Sequence, residues 1–144
     1  MISVIIPVLN EAKILDQSLS QLVPQLQGHE LIIVDGGSTD ETPLIAKRYG
    51  QVISAERGRA RQSNAGAAAA RGEILLFLHA DMWLDIGAIE GVETAISVGY
   101  VGGAFKQRIE GDHPLYRLIE RAADFRAKRL GIFYGDGGIF VGRT

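Results

Sequence analysis

The chain has 144 residues, 47% hydrophobic and 22% charged, with a formal net charge of −2 and no cysteine. That size and balance fit one soluble domain; the lack of cysteine excludes disulfides and thiolate metal sites, and the charge lacks the basic footprint of a nucleic-acid binder. No apolar run approaches the roughly 18–20 residues that span a bilayer, and MISVIIPVLNEAK has neither the basic flank nor the cleavage site of a signal peptide, so the expected location is cytoplasmic.

In chain order, Ile2–Val8 (ISVIIPV) reads as a first strand, followed by a helix from about Glu11 to Val23 with Asn10 as its cap. Leu31–Val34 (LIIV) is a second strand, and Ser38 with Glu41 has capping-box spacing for a helix over about Asp40–Tyr49, ending at Gly50. Val52–Ser54 is a third strand. The alanine-rich Gly58–Arg71 is a helix whose small side chains allow close approach to a sheet, and Ile74–Leu78 (ILLFL) is a fourth strand. Asp85 is placed to cap a further helix through about Val98. These strands are short, continuous and not alternating, as expected where a parallel sheet is covered on both faces. Strand and helix in this rhythm give βαβ units and an α/β fold.

The second half differs. Tyr100–Glu110 partly alternates, as a strand with one wetter face would. Pro114 opens a helix to about Leu130 with Leu115, Leu118, Ile119, Ala122 and Phe125 at helical spacing, and GDGGIFVGRT reads as a glycine turn and a short strand. No repeat or linker divides the chain.

In an open α/β sheet, ligands bind beyond the carboxyl ends of the strands. The first strand runs into Pro7, Asn10 and Glu11, the second into Asp35 and GGSTD, the third into Glu56, Arg57, Gly58, Arg59 and Arg61, and the fourth into His79 and Asp81. Asp35 before two glycines either caps a turn or accepts hydrogen bonds from a ligand that Gly36 and Gly37 admit close to the backbone. Residues i and i+2 of extended chain point the same way, roughly 6.5–7 Å apart. His79 and Asp81 so placed either converge on a divalent cation or serve the loop. A carboxylate suits magnesium or manganese, and the imidazole tilts the preference to manganese. The arginines at a helix start favour a phosphate, and for any single one of them a solvated loop is an equal alternative. Together these groups suggest a diphosphate-bearing nucleotide.

VIIPVLNEA, VDGGSTDET, RGRARQSNAGAAAARGEILLFLHAD and YGDGGIFVGR, in this order over essentially the whole chain, resemble family 2 glycosyltransferases. More narrowly, HAD in place of the usual acidic triplet resembles a small bacterial branch linked to arsenosugar biosynthesis. The resemblance implies a GT-A fold, with a Rossmann-like mostly parallel sheet flanked by helices. Residues 1–99 would form the nucleotide-sugar-binding part, and residues 100–144 the start of an incomplete acceptor-side half. It implies transfer of a sugar from a nucleoside-diphosphate donor, by family default a UDP-sugar, with inversion and help from Mn2+ or Mg2+. Pro7, Asn10 and Glu11 would line the nucleoside pocket, Asp35 would contact the base, and Arg57 and Arg61 would lie near base or diphosphate. His79 and Asp81 occupy the metal-binding triplet, and Asp136 lies on the acceptor side as the local candidate for catalytic base. Family members continue past the equivalent of GIFVGRT with a helical segment and an acidic pair that supplies the base. The resemblance therefore implies a truncated form here, with the usual base expected beyond Thr144.

Two other readings stand beside transfer. One is a nucleotide-sugar-binding module without catalysis, or an inactive truncated copy. The other is a nucleotidyltransferase, disfavoured because PVLNEAK lacks a glycine-rich, lysine-bearing phosphate loop. The acceptor would be a small molecule or lipid-linked. Arg117, Arg121, Arg126, Lys128 and Arg129 could bring the Pro114–Leu130 helix to the inner membrane face, or form its solvated side as it packs on the sheet. An apolar patch left uncovered would favour a homo-oligomer.

Overall fold

Every residue of the first strand except Pro7 is buried, and its side chains divide between two layers. Val4, Ile6 and Val8 join one hydrophobic cluster and Ile5 the other, as the alternation of a strand between two covered faces requires. Each of these burials is worth roughly 1.5–3 kcal/mol. The computed structural model describes residues 1–106, 114–116, 118–121, 125 and 138–143. Its strands are β1 (Ile2–Val8), β2 (Glu30–Asp35), β3 (Gln51–Ser54), β4 (Ile74–Phe77), β5 (Gly102–Ala104) and β6 (Ile139–Gly142), in one sheet of order β3-β2-β1-β4-β6-β5. Strands β1 to β4 are parallel; β6 runs antiparallel to both β4 and β5.

Helices α1 (Ala12–Leu22), α2 (Thr42–Ala46) and α4 (Ala88–Ser97) cover one face through Leu15, Leu19, Leu22, Ala46, Ile89 and Val92. Helix α3 (Arg59–Ala69) covers the other with Ala65, Ala67 and Ala69 against Ile5, Ile32, Val34 and Leu75. The close approach expected of the alanine-rich segment is borne out at Gly66, where a Cβ would fall 2.4 Å from Ile5 Cγ2 and 3.0 Å from Val34 Cγ2.

Several expected boundaries shift. Asn10 does not cap α1: it has φ +55° and bonds across to the next loop, and the helix starts after Glu11. The capping box does not form. The Ser38 hydroxyl donates to Asp35, and α2 is a short helix whose leading Thr42 N–H donates to Asp40 Oδ1 at 3.0 Å. Asp85 does not cap α4 with its side chain; Gly87, at φ +88°, precedes the first turn. β3 is an edge strand with Gln51 and Ser54 exposed, not a strand buried on both faces. Of the strand expected over Tyr100–Glu110, Gly102–Ala104 forms and residues 107–110 lie outside the described ones. The short strand expected near the end of the chain forms as β6, and Thr144 after it lies outside the described residues.

The described residues between 114 and 125 are helical, as the spacing predicts. Leu115, Leu118, Ile119 and Phe125 are each more than half exposed, against the expectation that this helix packs on the sheet. Among the described residues, no helix is long and apolar enough to cross a membrane.

Candidate nucleotide-binding site

β1 is followed in sequence by β2 and β3 on one side, and β4 lies on its other side, so the strand order reverses between β1 and β4. Their pairing ends at Ile5 and Phe77, with one more bond from the Leu78 N–H to the Ile5 carbonyl at 3.0 Å. The β1–β4 ladder stops there while β1 stays paired with β2 to Val8, and a topological switch point of this kind is where an open α/β sheet places its ligand crevice. Pro7, half-buried, sits just past the end of this ladder. A residue without an N–H is tolerated where a strand has lost a neighbour.

The loops after β1 and β2 are laced together by side chains. The Asn10 N–H donates to Ser38 Oγ at 2.9 Å, and Asn10 Oδ1 accepts from the Thr39 N–H at 2.8 Å. The Glu11 N–H donates to Thr42 Oγ1 at 2.8 Å, and the Ala12 N–H to Asp40 Oδ2 at 3.2 Å. The Thr42 hydroxyl, opposed by slight desolvation and joined by the Thr42 and Ala12 N–H groups, holds the Asp40 carboxyl below its usual range. Asn10 tolerates its left-handed backbone as few other residues do, and there its amide reaches Thr39.

Asp35, in register with Val8 and 7% exposed, takes the turn-capping role. Its carboxylate accepts from the Gly37 N–H at 3.1 Å, the Ser38 N–H at 3.2 Å and the Ser38 hydroxyl at 2.5 Å. Gly37 has φ +93°, a conformation side chains disfavour. The carboxylate is therefore fixed and pre-oriented at the sheet edge.

Arg57 lies in the third loop, and Arg59 and Arg61 in the first turn of α3. Arg61 pairs with Glu56, both exposed, while Arg57 and Arg59, also exposed, meet no carboxylate among the described residues. Helix α3 starts after Gly58, which has φ +138°, and no side chain caps it. Asn64 is exposed.

His79 and Asp81 follow β4, but not in extended chain as expected. The strand ends at Phe77 and the Met82 N–H donates to the His79 carbonyl at 3.1 Å, closing a turn with Ala80 and Asp81 at its centre. Side chains in a turn lose the two-residue periodicity of a strand, so any convergence of this pair comes from the turn. His79 is half-buried and Asp81 exposed. Among the described residues, no group of three or more His, Cys, Asp or Glu side chains could hold a metal ion. Asp136, the local candidate for catalytic base, lies outside the described residues, as does Thr144, beyond which the family's usual base was expected. A separate hollow of about 310 Å³, lined by Leu26, His29, Glu30, Tyr49, Gly50 and Arg71 among others, lies at the opposite, amino edge of the sheet.

The sequence reading missed the residues that lace the loops, Thr39, Asp40 and Thr42, and above all Gln62. Gln62 is 3% exposed, and its amide donates to the Val8 carbonyl at 2.9 Å and the Val34 carbonyl at 2.8 Å. The available signal was spacing: Gln62 stands four residues before Gly66, on the face that small side chains mark as close-packed.

These elements define an α/β domain of the GT-A type, an open sheet with polar loops gathered at its switch point. The chain belongs to glycosyl transferase family 2, whose family model matches residues 3–143. A PGL/p-HBAD biosynthesis glycosyltransferase of Mycobacterium tuberculosis is 40% identical over 90 residues, covering 56% of this chain and 35% of the relative. A glucosyl-3-phosphoglycerate synthase of the same species is 32% identical over 93 residues, covering 56% of this chain and 29% of the relative. The chain thus spans about a third of the length of these relatives. Among solved structures, that synthase in complex with Mn2+, UDP-glucose and phosphoglyceric acid superposes with a TM-score of 0.74 at 23% identity, covering 99% of this chain and 57% of that one. The mannosyltransferase PcManGT of Pyrobaculum calidifontis, in complex with GDP-Man and Mn2+, gives 0.74 at 23% identity over 97% of this chain and 44% of that one.

Proposed function

We propose that this chain is the donor-binding part of a glycosyltransferase that takes a nucleoside-diphosphate sugar, a UDP-sugar first, and passes the sugar to an acceptor hydroxyl with inversion. One observation carries the reading. The cross-bonded loops holding Asn10, Glu11 and Asp35, the loop holding Arg57 and the first turn of α3 with Arg61 lie at the same switch-point edge in a family 2 chain. The nucleotide-sugar complexes of the structural neighbours support it. Pro7, Asn10 and Glu11 line the nucleoside pocket, with Asp35 behind it contacting the base, and Arg57 and Arg61 reach the base or diphosphate. Arg61 must exchange its exposed Glu56 partner for the ligand, a small loss for a surface pair.

In the transfer, the acceptor oxygen forms a bond to the anomeric carbon as the bond to the diphosphate oxygen breaks. The acceptor's proton leaves to a base, for which Asp136 is the candidate. The enzyme must stabilise charge growing on the leaving diphosphate, which guanidinium groups do well. His79 and Asp81 offer one nitrogen and one carboxylate from a single turn. That fits a divalent ion that takes its other ligands from diphosphate and water, and the imidazole favours Mn2+ over Mg2+. When bound, the ion would offset diphosphate charge. Placement in the branch with HAD for the acidic triplet rests on these two residues.

Calorimetric titration of UDP into the chain with Mn2+, with Mg2+ and with EDTA tests the reading. Binding should be strongest with Mn2+ and at least about tenfold weaker in Asp81→Ala, the equivalent of one lost charge-assisted contact. Absence of binding in all three conditions would overturn it. Release of UDP from a UDP-sugar only when acceptor is present then separates a transferase from a module that binds without turnover.

A further inference from the structure

The donor reading needs three separate loops to keep fixed positions relative to one another, and one buried side chain touches the base of all three. Gln62 sits on α3 and makes both N–H bonds described above, one to the carbonyl of Val8, two residues before Asn10, and one to the carbonyl of Val34, next to Asp35. Its Oε1 accepts from the Gly58 N–H at 3.2 Å, in the loop between Arg57 and Arg59, and the Gly58 carbonyl in turn accepts from the Gln62 N–H at 2.9 Å. A carboxamide supplies two donors and an acceptor from one planar group. Glutamate has no donor when ionised, and methionine has the length without the hydrogen bonds.

The neighbourhood is shaped to this amide. A Cβ on Gly36 would lie 2.9 Å from Gln62 Cδ and Oε1 and 3.0 Å from Nε2, so the residue after Asp35 must stay small for the amide to fit. The Val8 carbonyl also accepts from the Gly36 N–H at 3.0 Å, using its second lone pair. We infer that Gln62 is a positioning residue that sets the arginine-bearing loop against the nucleoside-binding loops, so that base and diphosphate are engaged together. The inference rests on the donor site proposed above.

The test is a double-mutant cycle read by titration of UDP with Mn2+ into the chain, Gln62→Met, Arg57→Ala and the double variant, with thermal unfolding followed in parallel. Gln62→Met should bind UDP about tenfold more weakly. Arg57→Ala should weaken binding by a similar factor in the parent but less than about twofold in the Gln62→Met background, because the loop is then no longer aligned. A purely structural glutamine would lower the unfolding temperature and leave the Arg57 effect at full size, and that result overturns the inference alone. If Gln62→Met does not fold, Gly36→Ala replaces it in the same cycle, since its Cβ displaces the amide from the other side; additive effects there overturn the inference equally. A parent chain that binds no UDP overturns the site itself, and the inference with it.

Discussion

Glu30 shows how a single carboxylate can be buried and still ionised. It is 9% exposed at the start of β2, and burial alone would raise its pKa. Against that, its Oε2 accepts from the Arg71 N–H at 2.9 Å and the Ser3 hydroxyl at 2.5 Å, and its Oε1 from Arg71 Nε at 3.0 Å, and the net shift is downward. The Ser3 hydroxyl also accepts from the Gly72 N–H at 2.8 Å, so the cluster ties β1, β2 and the approach to β4. A carboxyl whose folded pKa lies below its unfolded one stabilises the fold above the unfolded value. That stability is lost as pH falls through the folded value. Glu30→Gln is therefore expected to lose about 1.5–3 kcal/mol at neutral pH, the range for hydrogen bonds to a charged group. The gap from the parent should close as pH drops below the ordinary value of 4.5. Urea denaturation at a series of pH values measures this, and a gap independent of pH would contradict it. Asp35 makes a different point. Its turn-capping bonds and its proposed contact with a base need not compete, because a carboxylate has about four lone-pair sites and its loop fixes where the rest can point.

At the scale of elements, what was legible is what burial alone decides. Ile2–Val8 was read at its observed bounds, and Ile74–Phe77 one residue short of the expected end, because continuous apolar runs have no other stable place. Helix caps were less legible than helix positions, because Asn10 and Ser38 spend their polar groups on neighbouring loop residues and Asp40 divides its carboxylate between the Thr42 N–H of its own helix and the Ala12 N–H of the facing one. Spacing shows that a residue can cap; it does not show which of several unsatisfied N–H groups lies nearer in space. Gln62 was overlooked for a related reason, since a glutamine in an alanine-rich helix reads as a solvent-facing residue unless its spacing from Gly66 is weighed against it. The alanine pattern itself was informative, and Gly66 sharpens it. Gly66→Ala improves helix propensity by about 1 kcal/mol, yet its Cβ would meet Ile5 Cγ2 at 2.4 Å. Overpacking of a tight core usually costs about 1–3 kcal/mol, so the variant is expected to be less stable than the parent despite the better helix former. A rise in its unfolding temperature would show that α3 can move off the sheet.

Over the whole molecule, the proposed site is made of halves that lie on different strands and meet only at the carboxyl edge of the sheet, which has a thermodynamic consequence. The described residues gather no three metal-binding side chains, and the HAD turn contributes two. A divalent ion that needs about six ligands therefore finds most of them only when a diphosphate is present. On the proposed reading, Mn2+ should bind the chain weakly by itself and at least about tenfold more tightly with UDP. Linkage requires Mn2+ to raise the affinity for UDP by that same factor. Four titrations close the cycle: Mn2+ with and without UDP, and UDP with and without Mn2+. Asp81→Ala should collapse the coupling towards unity while leaving the part of UDP affinity that comes from the nucleoside loops. Tight Mn2+ binding in the absence of nucleotide would instead place the ion on protein ligands other than the His79–Asp81 turn. Such a result would detach the metal from the donor while leaving the proposed nucleotide site at the β1–β4 switch point to be judged on UDP alone.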